Sequence, residues 1–215
     1  MGRKKKADVL AIIEELKRLY PEGICSLDYE KPYELLFSVR LAAQCTDERV
    51  NKVTPALFAR FPTLEALAAA EIGQVEELVR STGFLRAKAR DSVLSAQMLL
   101  RDYGGRVPDT MEDLLRLPGV GRKTANLILG DVYHVPGVVV ADTHCIRIAG
   151  LLGLTDGTKD PAKVETQLRA ILPPEESNDF CHRMVLHGRA VCIARRPQCG
   201  GCTLRPWCDY FTKNG

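Results

Sequence analysis

One lysine, one aspartate and four cysteines are the residues whose types and spacing could do chemistry here. Lys123 directly follows the run Leu117-Pro118-Gly119-Val120-Gly121-Arg122 and lies near the start of a segment with helical periodicity. Glycines permit positive φ angles and close backbone approach, so consecutive amides of such a turn can point outward, and the following helix start adds partial positive charge. Gly119, Val120, Gly121 and Arg122 thus form a candidate phosphate cradle, although Pro-Gly-x-Gly by itself also serves as a plain helix connection. A lysine in a first helical turn faces unpaired amide donors. That field, together with partial burial, is expected to disfavour the ammonium form and leave a nucleophilic amine, where an arbitrary lysine would be a solvated charge.

Asp142 comes nineteen positions later, in Val140-Ala141-Asp142-Thr143-His144, ahead of another helical run. Its position makes it a helix N-cap, and a capping carboxylate keeps its charge because backbone amides stabilise the anion. A fixed anion also stabilises positive charge that develops beside it, so capping and catalysis are compatible roles. His144 reads as a structural residue of the same turn. Cys192, Cys199, Cys202 and Cys208 crowd the last 24 residues, separated by six, two and five positions. Four thiolates suit either a [4Fe–4S] cluster or a tetrahedral zinc ion; only Cys199 and Cys202 form the close pair that zinc sites usually show twice. Arg195 and Arg196 lie in the first intercysteine loop, where they can meet phosphates or simply be solvated. The other four cysteines, Cys25, Cys45, Cys145 and Cys181, lie in or beside apolar helical runs and read as buried thiols.

The elements that must position these groups are helical almost throughout. Val9, Ile12, Ile13, Leu16 and Tyr20 fall on one face of a helix closed by Pro21. Further periodic runs cover residues 33–44, 47–61, 64–70, 74–81, 85–103, 111–116, 122–133, 143–153, 162–172 and 178–192. Thr54-Pro55 and Asp160-Pro161 each have the form of a cap residue before a first-turn proline. The one β-like run, Gly137-Val138-Val139-Val140, is too short and solitary to build a sheet, so the chain is expected to be all-α. A length of 215 residues with 46% hydrophobic and 27% charged residues fits a folded globular chain and argues against extensive disorder. The net charge of +3 is compatible with a polyanionic partner without demanding one, and the Gly2-Arg3-Lys4-Lys5-Lys6 start reads as a solvated tail. No stretch reaches the ~18 apolar residues of a membrane span. An intracellular location is expected, in the cytoplasm or nucleoid if the cell is bacterial, and eight cysteines in a reducing compartment favour metal or thiol roles over disulfides.

The complete run Leu117 to Ala125 closely resembles the helix-hairpin-helix motif of the endonuclease III family of DNA glycosylases, and the four-cysteine spacing matches the C-terminal cluster motif of that family. The resemblance covers nearly the whole chain. It implies that Lys123 is the catalytic nucleophile, that Asp142 is the carboxylate needed to cut the glycosidic bond, and that the four cysteines hold a [4Fe–4S] cluster in preference to zinc. Gln44, in Leu41-Ala42-Ala43-Gln44, and Phe84, in Thr82-Gly83-Phe84, match positions that fill the gap left by an extruded nucleotide. Phe84 replaces the usual aliphatic residue and Cys45 the usual small one, which puts the lesion preference in doubt.

Also implied are two helical lobes, a helical barrel at 24–136 and a cluster lobe at 1–23 with 137–215, with DNA bound where they meet. The expected protein is a monomer acting on double-stranded DNA that contains damaged bases or abasic sites, with oxidised pyrimidine as the default lesion. The nearest alternative within the resemblance is a monofunctional adenine or mismatch glycosylase, against which Lys123 argues. From another class, a DNA-binding module with a zinc-stabilised tail is the rival.

Overall fold

The computed structural model describes residues 4–214, all of which lie in helices, turns or irregular segments without a β-strand. The α-helices are α1 (Lys6–Leu19), α2 (Pro32–Leu41), α3 (Asp47–Arg60), α4 (Leu64–Ala68), α5 (Ile72–Val79) and α6 (Leu85–Tyr103). They continue with α7 (Met111–Arg116), α8 (Arg122–Asp131), α9 (Thr143–Leu152), α10 (Pro161–Arg169), α11 (Ser177–Ala190) and α12 (Asp209–Asn214). The all-α expectation is met, and ten of these helices correspond to the predicted runs with ends displaced by at most three residues. The short α12 and the 3₁₀ turns among the last cysteines carry no periodic signal long enough to read in advance.

Two compact units divide the chain, one formed by Cys25–Tyr133 and the other by Met1–Ile24 with His134–Gly215. In the first, the long α6 packs on α4, α5 and α2, while α8 packs on α7 and α2. Leu35, Leu36, Leu41, Val50, Leu57, Val75, Val79, Leu99, Leu114 and Ile128 are almost wholly excluded from solvent. Each such side chain stabilises the unit by roughly 1.5–3 kcal/mol relative to exposure.

Thr54-Pro55, expected as a helix start, lies instead inside α3. The true cap is Thr46, whose side chain accepts from the Arg49 amide, and the buried stripe Val50, Val53 and Leu57 carries the helix through the proline. Asp160 does cap α10 as expected, accepting from Ala162 and Lys163 amides ahead of Pro161.

In the second unit α11 packs on both α1 and α9, and α12 packs on α9. The core comprises Ile12, Leu16, Val139, Ile148, Val164, Leu168, Phe180 and Met184. Close contact between α9 and α11 depends on Gly188, where an added Cβ would stand 2.5 Å from Nδ1 of His144. Of the basic start, Lys4 pairs with Asp209, whereas Gly2 and Arg3 fall outside the described residues.

Candidate active site

The Lys123 hairpin is built from the residues beneath it. Helix α7 ends at Arg116 with Leu117 as its C-cap, the chain turns through Pro118-Gly119-Val120, and Gly121 stands at the N-cap of α8. Gly119 has φ +75°, and a Cβ there would meet Arg40 Nε at 2.4 Å and Asp91 Oδ2 at 2.7 Å, so no other residue fits without displacement. Those two side chains form a partly buried ion pair, Arg40 Nη2 to Asp91 Oδ2 at 2.7 Å with a second bond from Nε at 3.0 Å. Ser95, one turn along α6 from Asp91, donates to the Pro118 carbonyl at 3.0 Å. The amide of Val120 is spent on Leu117 O at 3.1 Å, so it is not one of the outward amides of the turn. The helical ladder of α8 begins with Ala125 N–H to Gly121 O at 2.9 Å, which leaves the amides of its first turn directed forward.

Lys123 occupies the second position of α8 and is exposed. The expected partial burial is therefore absent: the first turn of α8 stands clear of its neighbours, and only from Ala125 onward does the helix enter the core. An exposed primary amine in that place remains accessible to a large ligand. Asp142 belongs to the other unit. It caps α9, accepting the Cys145 amide on Oδ1 at 2.7 Å, and remains half-buried at the end of the covered Val138–Ala141 segment. His144 beside it sits against Gly188 and lies 3.4 Å from Arg147 Nη2, consistent with a structural role.

Gln44 and Phe84 are both exposed residues in the left-handed backbone region, with φ of 56° and 50°. Gln44 follows the end of α2, which stops at Leu41 and not at residue 44 because the chain leaves helical geometry there. Phe84 is the N-cap of α6, and two-thirds of its surface is solvent-accessible, so it is not a core aromatic.

The four C-terminal cysteines line one cavity together with Ile148, Leu152, His187, Leu204 and Phe211. Among the described residues no three His, Cys, Asp or Glu side chains converge on a single point that would hold one metal ion. A four-iron cluster does not ask for such a point, since each thiolate binds a different iron at a different corner. Burial and hydrogen bonding act in opposite directions on these sulfurs. Burial pushes the Cys192 thiol up, and Arg147 opposes this by donating to Cys192 Sγ at 3.4 Å and to its carbonyl at 2.7 Å. Burial likewise raises Cys202, against a backbone hydrogen bond from Leu204. His187, 3.7 Å from Cys202 Sγ, is held below its ordinary pKa by burial and by Arg147. Arg195 and Arg196 are exposed on the loop between Cys192 and Cys199.

Residues 37–174 match the family described as HhH-GPD superfamily base excision DNA repair protein. Endonuclease III of Synechocystis sp. is 46% identical over 96% of this chain and 93% of that protein. Endonuclease III of Haemophilus influenzae is 36% identical over 99% of both. This chain belongs to the endonuclease III family within that superfamily. A solved structure of a trapped covalent endonuclease III–DNA intermediate, an estranged-adenine complex, superposes with a TM-score of 0.91 at 38% identity, covering 98% of each chain.

Several residues that shape this endonuclease III-type site escape sequence reading. Arg40, Asp91 and Ser95 support the hairpin, and Arg147 serves the cysteine cavity, yet each reads in the sequence as an ordinary polar helix position. Lys88 had a visible signal. It falls on the stripe Leu85, Lys88, Ser92, Ala96, Leu99 that α6 turns toward the core, and a charge on such a stripe demands a partner. The four cysteines expected as buried thiols divide: Cys145 and Cys181 are fully buried, whereas Cys25 and Cys45 are only partly buried, both lying in connections outside the helices.

Proposed function

We propose that this chain is a bifunctional DNA glycosylase and abasic-site lyase of base excision repair, acting on duplex DNA that carries damaged bases, with oxidised pyrimidines as its default lesion. The observation that carries the reading is the intact glycine hairpin that delivers an exposed Lys123 amine at the start of α8. Backbone amides there bind phosphate and fix the register of the strand, while the amine reaches the sugar of a nucleotide turned out of the stack.

Lys123 Nζ, in its neutral form, attacks C1′ as the C1′–N glycosidic bond breaks. The base leaves with the bonding pair and takes up a proton. Positive charge accumulates on the sugar in this step, and the Asp142 carboxylate, oriented by the Cys145 amide that donates to one of its oxygens, offsets it. Ring opening gives an imine between Lys123 and C1′. Loss of a C2′ proton then expels the 3′ phosphate, breaking the C3′–O bond, and hydrolysis of the imine returns the amine. Gln44 and Phe84 occupy the gap in the duplex, and Gly119, Gly121, Arg122, Arg195 and Arg196 contact the backbone.

Cys192, Cys199, Cys202 and Cys208 would hold a [4Fe–4S] cluster, which supplies a covalent cross-link for the C-terminal segment and no electrons, because neither bond cleavage changes the oxidation state of the DNA overall. A zinc-stabilised binding module would lack the broad visible absorption of such a cluster. Borohydride reduction on abasic duplex tests the central step. The wild-type chain is expected to form a stable adduct and Lys123→Ala none; equal trapping by both would remove Lys123 from the mechanism.

A further inference from the structure

Lys88 is the one lysine whose side chain is fully buried among the described residues, and the mechanism above does not use it. Its Nζ donates to the Leu41 carbonyl at 2.7 Å and to the Thr82 carbonyl at 2.6 Å. Leu41 is the last residue of α2, three before Gln44, and Thr82 stands two before Phe84. The Lys88 amide also bonds to the Phe84 carbonyl at 3.1 Å. One side chain therefore ties together the roots of the two turns whose tips are the exposed, positive-φ residues Gln44 and Phe84.

A left-handed conformation at a non-glycine residue costs of order 1 kcal/mol or more and persists only where the surroundings hold it. Here each of two such residues follows, by two or three positions, a carbonyl that the same cation binds. Burial lowers the proton affinity of this amine, so the site is a costly one for a lysine. A methionine or leucine would pack the same space without that cost but could satisfy neither carbonyl. What the ammonium adds is a fixed distance between two chain segments that sequence separates by about forty residues.

We propose that Lys88 is a positioning residue that locks the Gln44 and Phe84 turns to each other, so that both side chains enter the duplex as one rigid wedge. The proposal rests on the reading that Gln44 and Phe84 fill the gap left by the extruded nucleotide. A wedge with independent tips would have to order each of them during every extrusion event. A pre-tied wedge carries no such entropy cost, and the effect falls on the opening of paired DNA and not on the chemistry at C1′.

The test uses the full chain with its cluster and compares a damaged base in a fully paired duplex with the same base in an unpaired bulge. Lys88→Met is expected to lower kcat/KM about tenfold or more on the paired duplex and less than about threefold on the bulge, as two carbonyl bonds are lost but only paired DNA needs the wedge. A double-mutant cycle with Phe84→Ala should be non-additive, because both changes disable the same device. Equal losses on the two substrates, or independent multiplication with Phe84→Ala, would overturn the assignment of Lys88.

If Gln44→Ala and Phe84→Ala themselves have no effect on the paired duplex, the gap-filling reading fails and this proposal goes with it. Should Lys88→Met not fold, amide hydrogen exchange of the wild-type chain decides. Residues 42–45 and 82–85 opening together, within about threefold, supports the tie, and protection differing by more than about tenfold refutes it.

Discussion

Lys123 and Asp142 both stand at the start of a helix, where the macrodipole treats them oppositely. The anion at the cap of α9 is stabilised by the amides it faces, and the cation in the first turn of α8 is not. A lysine in that place lowers stability slightly, the pattern expected where local rules give way to a function such as the one proposed for its amine. Lys123→Gln should therefore abolish borohydride trapping while leaving Tm unchanged or raised by about 1–3 °C; a clear fall in Tm would mean that the side chain carries structure. Asp142→Asn is expected to reduce base excision far more than DNA affinity, since the amide oxygen can still cap α9 but carries no charge for the transition state. Matching losses in rate and affinity would reduce Asp142 to a cap. Cys25 gives a residue-scale test of environment: burial first, then the nearby Asp131 carboxylate, pushes its thiol up to about 12. Because only the thiolate is nucleophilic, and its greater intrinsic reactivity only partly offsets its scarcity, iodoacetamide labelling of Cys25 at pH 8 should be at least about tenfold slower than that of a thiol of pKa 9. Labelling at the unhindered rate would contradict that environment.

At the scale of elements, the hairpin is held from below by α6. Asp91 and Ser95 lie one turn apart on that helix, one reaching the Arg40 pair beneath Gly119 and the other the Pro118 carbonyl. Gly119→Ala forces a Cβ into Arg40 and Asp91 at a φ that alanine disfavours. The expected outcome is a loss of about 2–4 kcal/mol of unfolding free energy by denaturant titration, together with weaker DNA binding. Wild-type stability in that variant would show that the turn can relax at no cost. A milder effect is expected at the Thr46 cap of α3, where Thr46→Ala should cost about 1 kcal/mol with unchanged lyase activity on abasic DNA. Glycine spacing announces the turn in the sequence, but the ion pair that requires Gly119 joins residues on α2 and α6 and carries no local signal.

For the whole molecule, recognition of DNA is not written in its net charge. A value of +3 over 215 residues is modest, so affinity must come from amides and arginines gathered at particular sites. The logarithm of the affinity should fall linearly with that of salt concentration, with a slope of only a few phosphates. The proposed cluster would make stability depend on iron, since residues from α9, α11 and the C-terminal turns all line the cysteine cavity. Oxidative removal of iron should bleach the visible absorption and lower Tm together, as binding free energy at such a site is also folding free energy. Bleaching at constant Tm would place the cluster outside the fold's support.

Periodicity and glycine punctuation by themselves determined that this chain is helical and where most of its helices run, while cysteine spacing and the resemblance of the hairpin and aspartate segments to a known family marked the places to look for chemistry. These are local signals, readable because helix, cap and turn preferences act over a few neighbouring residues. Tertiary structure alone decided that α3 runs through Pro55, that Lys123 is exposed, and that Arg40 pairs with Asp91 under Gly119. It also decided that Lys88 bridges Leu41 and Thr82, partners 47 and 6 positions away. Each of those outcomes depends on which distant group a side chain meets, and a burial stripe or hydrogen-bond partner supplied by another helix outweighs what the neighbouring residues prefer.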